Sequence, residues 1–197
     1  MDPQTHIPDR GDSPIHPILA GIVWVGRAAA WLIVPIFVIV LISVVLSASK
    51  IGVIMRWEND VFVLGSKLTL ASLGDLQWHL FGIMLMLTMA SALVRDKHVR
   101  VDFLRQHMSE RQKHIIDVIG HLVLLLPFCG IVSYHGYDFT QRSFNMGEGS
   151  DYDGLYNRFV IKAFIPIGFG LMFVAGVGLT LRSLRALFKP QKAATDD

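Results

Sequence analysis

The sequence predicts an all-α membrane protein of four transmembrane helices with short interfacial amphipathic helices, and three observations carry that prediction. First, 52% of the 197 residues are hydrophobic and only 17% are charged, with mean hydropathy at +0.48; these values lie outside the ordinary soluble range. Second, the apolar residues gather into four blocks instead of recurring at the periods of a half-buried helix or strand. Third, each block is about 20 residues or longer, the length that crosses a hydrocarbon core of about 30 Å.

The first span is set at Ala28 to Ser49, almost unbroken in apolar character and about 33 Å long at 1.5 Å per residue. Ahead of it, Ile15 to Gly26 reads as an interfacial helix ending at Arg27. The second span runs from about Leu73 to Val94, with Asp75, Gln77 and His79 at its start. The third covers Ile115 to Phe139, and the fourth Phe159 to Leu181. Pro35, Pro127 and Pro166 fall within spans, where membrane helices tolerate them better than soluble ones do. Ser109 followed by Gln112 has capping-box spacing and predicts a helix start near Glu110. Val101, Leu104 and Met108 recur at helical spacing among charged residues, as in a short helix lying on the membrane surface. The expected organisation is a cytoplasmic N-terminal segment over 1–27, a four-helix transmembrane domain over 28–184 and a cytoplasmic tail over 185–197.

Orientation follows from the 18 Lys and Arg residues. Twelve lie in the N-terminal segment, the loop between spans two and three, and the tail, against six on the other side; the positive-inside rule then predicts that both termini are cytoplasmic, in a bacterial inner membrane. Trp57 and Trp78 mark the outer interface, Trp24 and Trp31 the inner one. The N-terminus lacks the basic start and short apolar stretch of a cleavable signal, so the first span is expected to direct insertion. A formal charge of +2, spread along the edges of apolar blocks, argues against nucleic acid. The single cysteine, Cys129, excludes an intramolecular disulfide and a Cys-based metal site.

Ionisable groups at membrane depth are functional candidates by default. The third span holds Asp117, His121, His135 and Asp138. On a straight helix the first three fall within about 40° of one another and Asp138 about 60° to the other side. They read as an intramembrane polar stripe that faces protein or water, or alternatively as helix-end carboxylates with locally satisfied histidines. His121 and His135 stand about 21 Å apart at helical rise, a separation that suits axial ligands of two stacked haems, but only His79 on another span is available to pair with them. Asp75 and His79, at i and i+4, have the spacing of a local ion pair at the outer end of the second span, or of a wetted helix end, the commoner case. The acidic tract Gly147 to Gly154 lacks calcium-loop spacing and reads as a solvated loop. No nucleophile triad, zinc pair or phosphate loop occurs, so no enzyme, metal or cofactor is expected.

The stretch QWHLFGIMLMLTMASALVRDKHVRVDFL, Gln77 to Leu104, resembles the small membrane subunit, called DctQ-like, of tripartite ATP-independent periplasmic (TRAP) transporters. That family shows a Gln/Glu-Trp start, an apolar middle and an exit through His-Val-Arg-Val-Asp, here His98 to Asp102. The resemblance covers about Arg27 to Leu184. GLYNRFVIKAFIPIGF, Gly154 to Phe169, is further similar to the branch linked with carboxylates, mannitol-like or chloroaromatic compounds, though that family usually has Pro where Tyr156 stands here. The resemblance implies a non-catalytic subunit that braces the static scaffold of a large membrane subunit, which works with a periplasmic solute-binding protein in gradient-driven symport of a small organic solute. It also implies partner or lipid contacts for Gln77, Trp78, His98, Arg100, Asp102 and Lys162, with membrane phospholipids at the inner surface. A haem b-binding anchor of an electron-transfer complex is the competing reading, and a free-standing four-helix channel a third.

Overall fold

A computed structural model describes residues 16–95, 108–150 and 154–188. Four helical stretches are long and apolar enough to cross a membrane: Pro17–Ala48, Leu70–Val94, Arg111–Met146 and Phe159–Phe188. The chain is therefore a multi-pass membrane protein, with the all-α, four-span architecture its sequence predicts.

The first span is built from α1 (His16–Ala30) and α2 (Ile33–Ala48). Between them the backbone tightens: Trp31 donates to Ala28 O, Leu32 to Ala29 O and Val34 to Trp31 O, each three residues back. Pro35 causes this, because it has no N–H and its ring would press on the Trp31 carbonyl, which Val34 captures instead. The helix thus begins well before Ala28. The segment read as a separate interfacial helix packs against the bundle, burying Leu19 and Ile22.

Residues 50–69, which join the first two spans, form an antiparallel hairpin of β1 (Val53–Val61) and β2 (Gly65–Thr69). Arg56 pairs with Lys67 and Val61 with Gly65. Gly65 lies at φ 63°, a left-handed conformation suited to glycine at a tight turn. The hairpin leads directly into α3 (Leu70–Val94) through a capping box: Ser72 N–H donates to Thr69 Oγ1 at 3.1 Å, and Thr69 N–H donates to Ser72 Oγ at 3.3 Å.

The third span starts at α4 (Glu110–Gly120), where the predicted capping box is present: Ser109 N–H donates to Gln112 Oε1 at 2.9 Å. A π-helical turn, His121–Leu125, joins α4 to α5 (Leu126–Met146), and Leu126 N–H reaches back five residues to His121 O. Pro127 explains the wide turn, since in a regular helix its ring would collide with the Val123 carbonyl. The fourth span is α6 (Phe159–Phe188).

Helix α6 lies at the centre, packed against α3, α4 and α5. A Cβ at Gly168 would stand 2.7 Å from Met86 O, so the α3–α6 crossing needs a residue without a side chain. Gly26 plays the same part between α1 and α3, where a Cβ would meet Ser91 Cβ at 2.2 Å. Around these approaches Ile22, Ala90 and Ala175 form the buried core, with Leu93, Val94, Leu171 and Met172 packed on it. Such small-residue packing is how helices associate where lipid removes the hydrophobic incentive.

Candidate functional site

The densest polar organisation among the described residues ties together the hairpin and the ends of α3, α5 and α6 next to it. Asp75, in the second turn of α3, accepts from Leu155 N–H at 3.1 Å and has Arg158 Nη2 at 3.9 Å. Leu155 itself is fully buried. Gly154 sits so close that a Cβ would be 2.0 Å from Asp75 Oδ2. Tyr156 N–H donates to Val63 O at 2.8 Å, and Asn157 Nδ2 donates to Phe62 O. Asn157 is in the left-handed region at φ 54°, which Asn tolerates better than most residues. Each residue of the Gly154–Arg158 segment therefore holds a specific neighbour. A proline at 156, the usual choice in the resembling family, would lack the N–H that pins the hairpin turn.

A second tie lies beside the first. Glu148 Oε2 accepts from Ser143 Oγ at 2.7 Å and from Lys162 Nζ, while Glu148 O accepts from Arg158 N–H at 2.9 Å. Hydrogen bonds from Lys162 and Ser143 hold the Glu148 carboxyl below the ordinary carboxylate range, with smaller help from the charges of Lys162 and Arg158. Lys162 Nζ also stands 4.0 Å from the centre of the Phe139 ring. Phe159 makes edge-on contacts with Phe62 and Phe144 at 6.0 and 4.9 Å.

The residues singled out in the sequence separate into distinct environments. Gln77 is half-buried and donates through Nε2 to Ser43 Oγ at 2.8 Å, joining α3 to α2. Trp78 projects outward, 73% exposed, with its ring edge-on to Phe81 at 6.3 Å. Lys162 is engaged within the chain as described above. His98, Arg100 and Asp102 lie outside the described residues, as does Val101 to His107 of the predicted surface helix. Asp117 and His121 are half-buried on the part of the third span that packs against α6. Asp138 is half-buried, whereas His135 is exposed, its ring 5.4 Å from that of Tyr134. One extra residue in the π-helical turn rotates α5 by about 100° relative to α4, so the straight-helix phasing of His121 and His135 does not carry across it. His79 Nδ1 lies 2.6 Å from Asp75 O. Among the described residues, no three His, Cys, Asp or Glu side chains converge on a metal-sized site.

The profile of the family described as tripartite ATP-independent periplasmic transporters, DctQ component, matches residues 52–186. The chain belongs to this family. The match begins at the hairpin and takes in spans two to four together with the whole polar knot beside the hairpin. It identifies the chain as a small membrane component of a TRAP transporter, a transporter part and not an enzyme. No curated protein and no solved structure matches the chain. Sequence reasoning missed the hairpin and the Asp75–Leu155 tie; the β-branched and aromatic Val53, Ile54 and Trp57, together with Gly65, carried a hairpin signal without clean alternation, whereas nothing local reveals a bond across 80 residues.

Proposed function

We propose that this DctQ-family chain braces the static scaffold of a large TRAP membrane subunit during ion-gradient-driven uptake of a small organic solute, a carboxylate, delivered by a periplasmic solute-binding protein. The observation that carries the reading is the outer knot centred on Asp75 and Glu148. It fastens the hairpin to the outer ends of α3, α5 and α6, which suits a part that resists movement. Transport folds instead use broken helices and paired repeats at mid-membrane. Both termini face the cytoplasm in this reading, and the chain resides in the bacterial inner membrane, because Lys and Arg are concentrated in the segments flanking the inner helix ends. His98, Arg100 and Asp102 contact the partner or phospholipid headgroups at that surface, and Trp78 anchors the outer interface.

The test is uptake by proteoliposomes holding the large subunit, with the solute-binding protein added outside and a sodium or proton gradient imposed. Uptake is expected only when this chain is co-reconstituted. Equal uptake without it would overturn the bracing role.

A further inference from the structure

Between α2 and α3, toward the outer side of the membrane, a groove of about 610 Å³ is lined by Val40, Ser43, Val44, Ser47, Leu70 and Gln77, with Gly74 and Ala48 completing its walls. We propose that this groove is a binding site for one phospholipid of the leaflet on the hairpin side, the outer leaflet in the orientation proposed above, which seats an acyl chain on Val40 and Val44 and its glycerol ester at Gln77 and Ser47.

Position, shape and chemistry support this assignment. Gln77 adjoins Trp78, whose exposed ring marks the headgroup level, so the groove straddles the depth at which a lipid changes from ester to hydrocarbon. Helix α2 buries none of its residues, and Val40, Val44 and Ser47 are exposed, so the groove opens into the bilayer. An apolar floor with a few placed polar groups is the ordinary composition of a small-molecule site between helices. The polar groups also have unused capacity. Ser43 Oγ is committed, donating to Ile39 O at 2.8 Å while accepting from Gln77 Nε2 at 2.8 Å. Among the described residues the Gln77 carbonyl oxygen and second amide proton, and the Ser47 hydroxyl, have no side-chain or backbone partner. Ester and phosphate oxygens of a phospholipid accept from the Gln77 amide and the Ser47 hydroxyl, which a bare acyl chain cannot do. The inference is independent of which large subunit the chain joins.

Native mass spectrometry of the full chain in mild detergent, titrated with palmitoyl-oleoyl phosphatidylethanolamine, tests it. The wild type is expected to retain one phospholipid at collision energies that strip the rest. Gly74→Leu fills the groove without a clash, because nothing lies within 4 Å of a Cβ there, and leucine is the better helix former; retention should fall at least tenfold. Val44→Phe, which fills the groove from the other wall, is read in parallel and should do the same if Gly74→Leu lowers the melting temperature. Gln77→Leu should reduce retention about threefold. Equal retention by the wild type and both filled variants would overturn the proposal. So would a Ser47→Cys variant that crosslinks quantitatively to a protein helix in native membranes while holding no lipid, since the groove would then be a protein interface.

Discussion

Helices α2 and α6 are both strongly apolar and both long enough to matter to a bilayer, yet they occupy opposite places in the bundle. Helix α2, IVPIFVIVLISVVLSA, buries none of its residues, whereas α6 buries Gly168, Ala175, Gly176, Gly178, Thr180 and Ser183. In water the bulkier, more hydrophobic helix would be the inner one. In a bilayer lipid solvates leucine and valine as well as protein does, so association follows close packing of small residues. Helix α6 is central because it is notched, and α2 peripheral because it is not.

The largest effect should come from closing the deepest notch. Gly168→Leu forces a side chain onto the Met86 backbone and should destabilise by about 3 kcal/mol, the upper range of overpacking, measured by reversible unfolding in mixed micelles. A cost near zero would show that the α3–α6 crossing does not depend on that approach. Asp75→Ala leaves Leu155 N–H without its acceptor and Arg158 without its nearby carboxylate and should cost about 2 kcal/mol, with amide exchange quickening at Leu155 and Tyr156 while the α3–α6 crossing stays protected. Glu148→Gln is smaller, under about 1 kcal/mol for a partly exposed pair, and is best read through pH. The folded carboxyl titrates below its unfolded value near 4.5, so its contribution is complete above that value and is lost as pH falls through the lower folded value. A melting temperature that declines in acid should decline less in the variant. Smallest of all, Val45→Ala on the exposed face of α2 should change stability by no more than about 0.5 kcal/mol; a loss comparable to Gly168→Leu would erase the contrast between the two helices.

Much of the fold was legible because membrane spans announce themselves through length and composition, and Ser109 with Gln112 marked a helix start that the structure keeps. The boundaries were less legible. The sequence places a separate interfacial segment, Ile15 to Gly26, ahead of Arg27, whereas α1 runs continuously through Arg27 to Ala30. The hairpin was hidden because a two-stranded ribbon with exposed apolar residues such as Met55 and Phe62 does not alternate cleanly. At the site, Lys162 and Gln77 are expected partner or lipid contacts, and each also bonds within the chain to Glu148 and Ser43, a pairing that residue spacing does not reveal. The Pro127-induced π-helical turn altered the phasing of the third span, a three-dimensional consequence that residue spacing alone does not carry. Asp75 could be seen as a polar helix end, but its bond to Leu155 exists only once the outer loop folds over it.

The central claim is that this chain works as one part of a larger membrane assembly. The most direct measurement is extraction of the tagged chain from its own membranes in mild detergent, with quantitative mass spectrometry and a visible absorption spectrum of the purified sample. The account predicts a colourless complex holding a much larger polytopic TRAP subunit in a one-to-one ratio. A chain that purifies without such a partner, or a red sample with a Soret band, would contradict it.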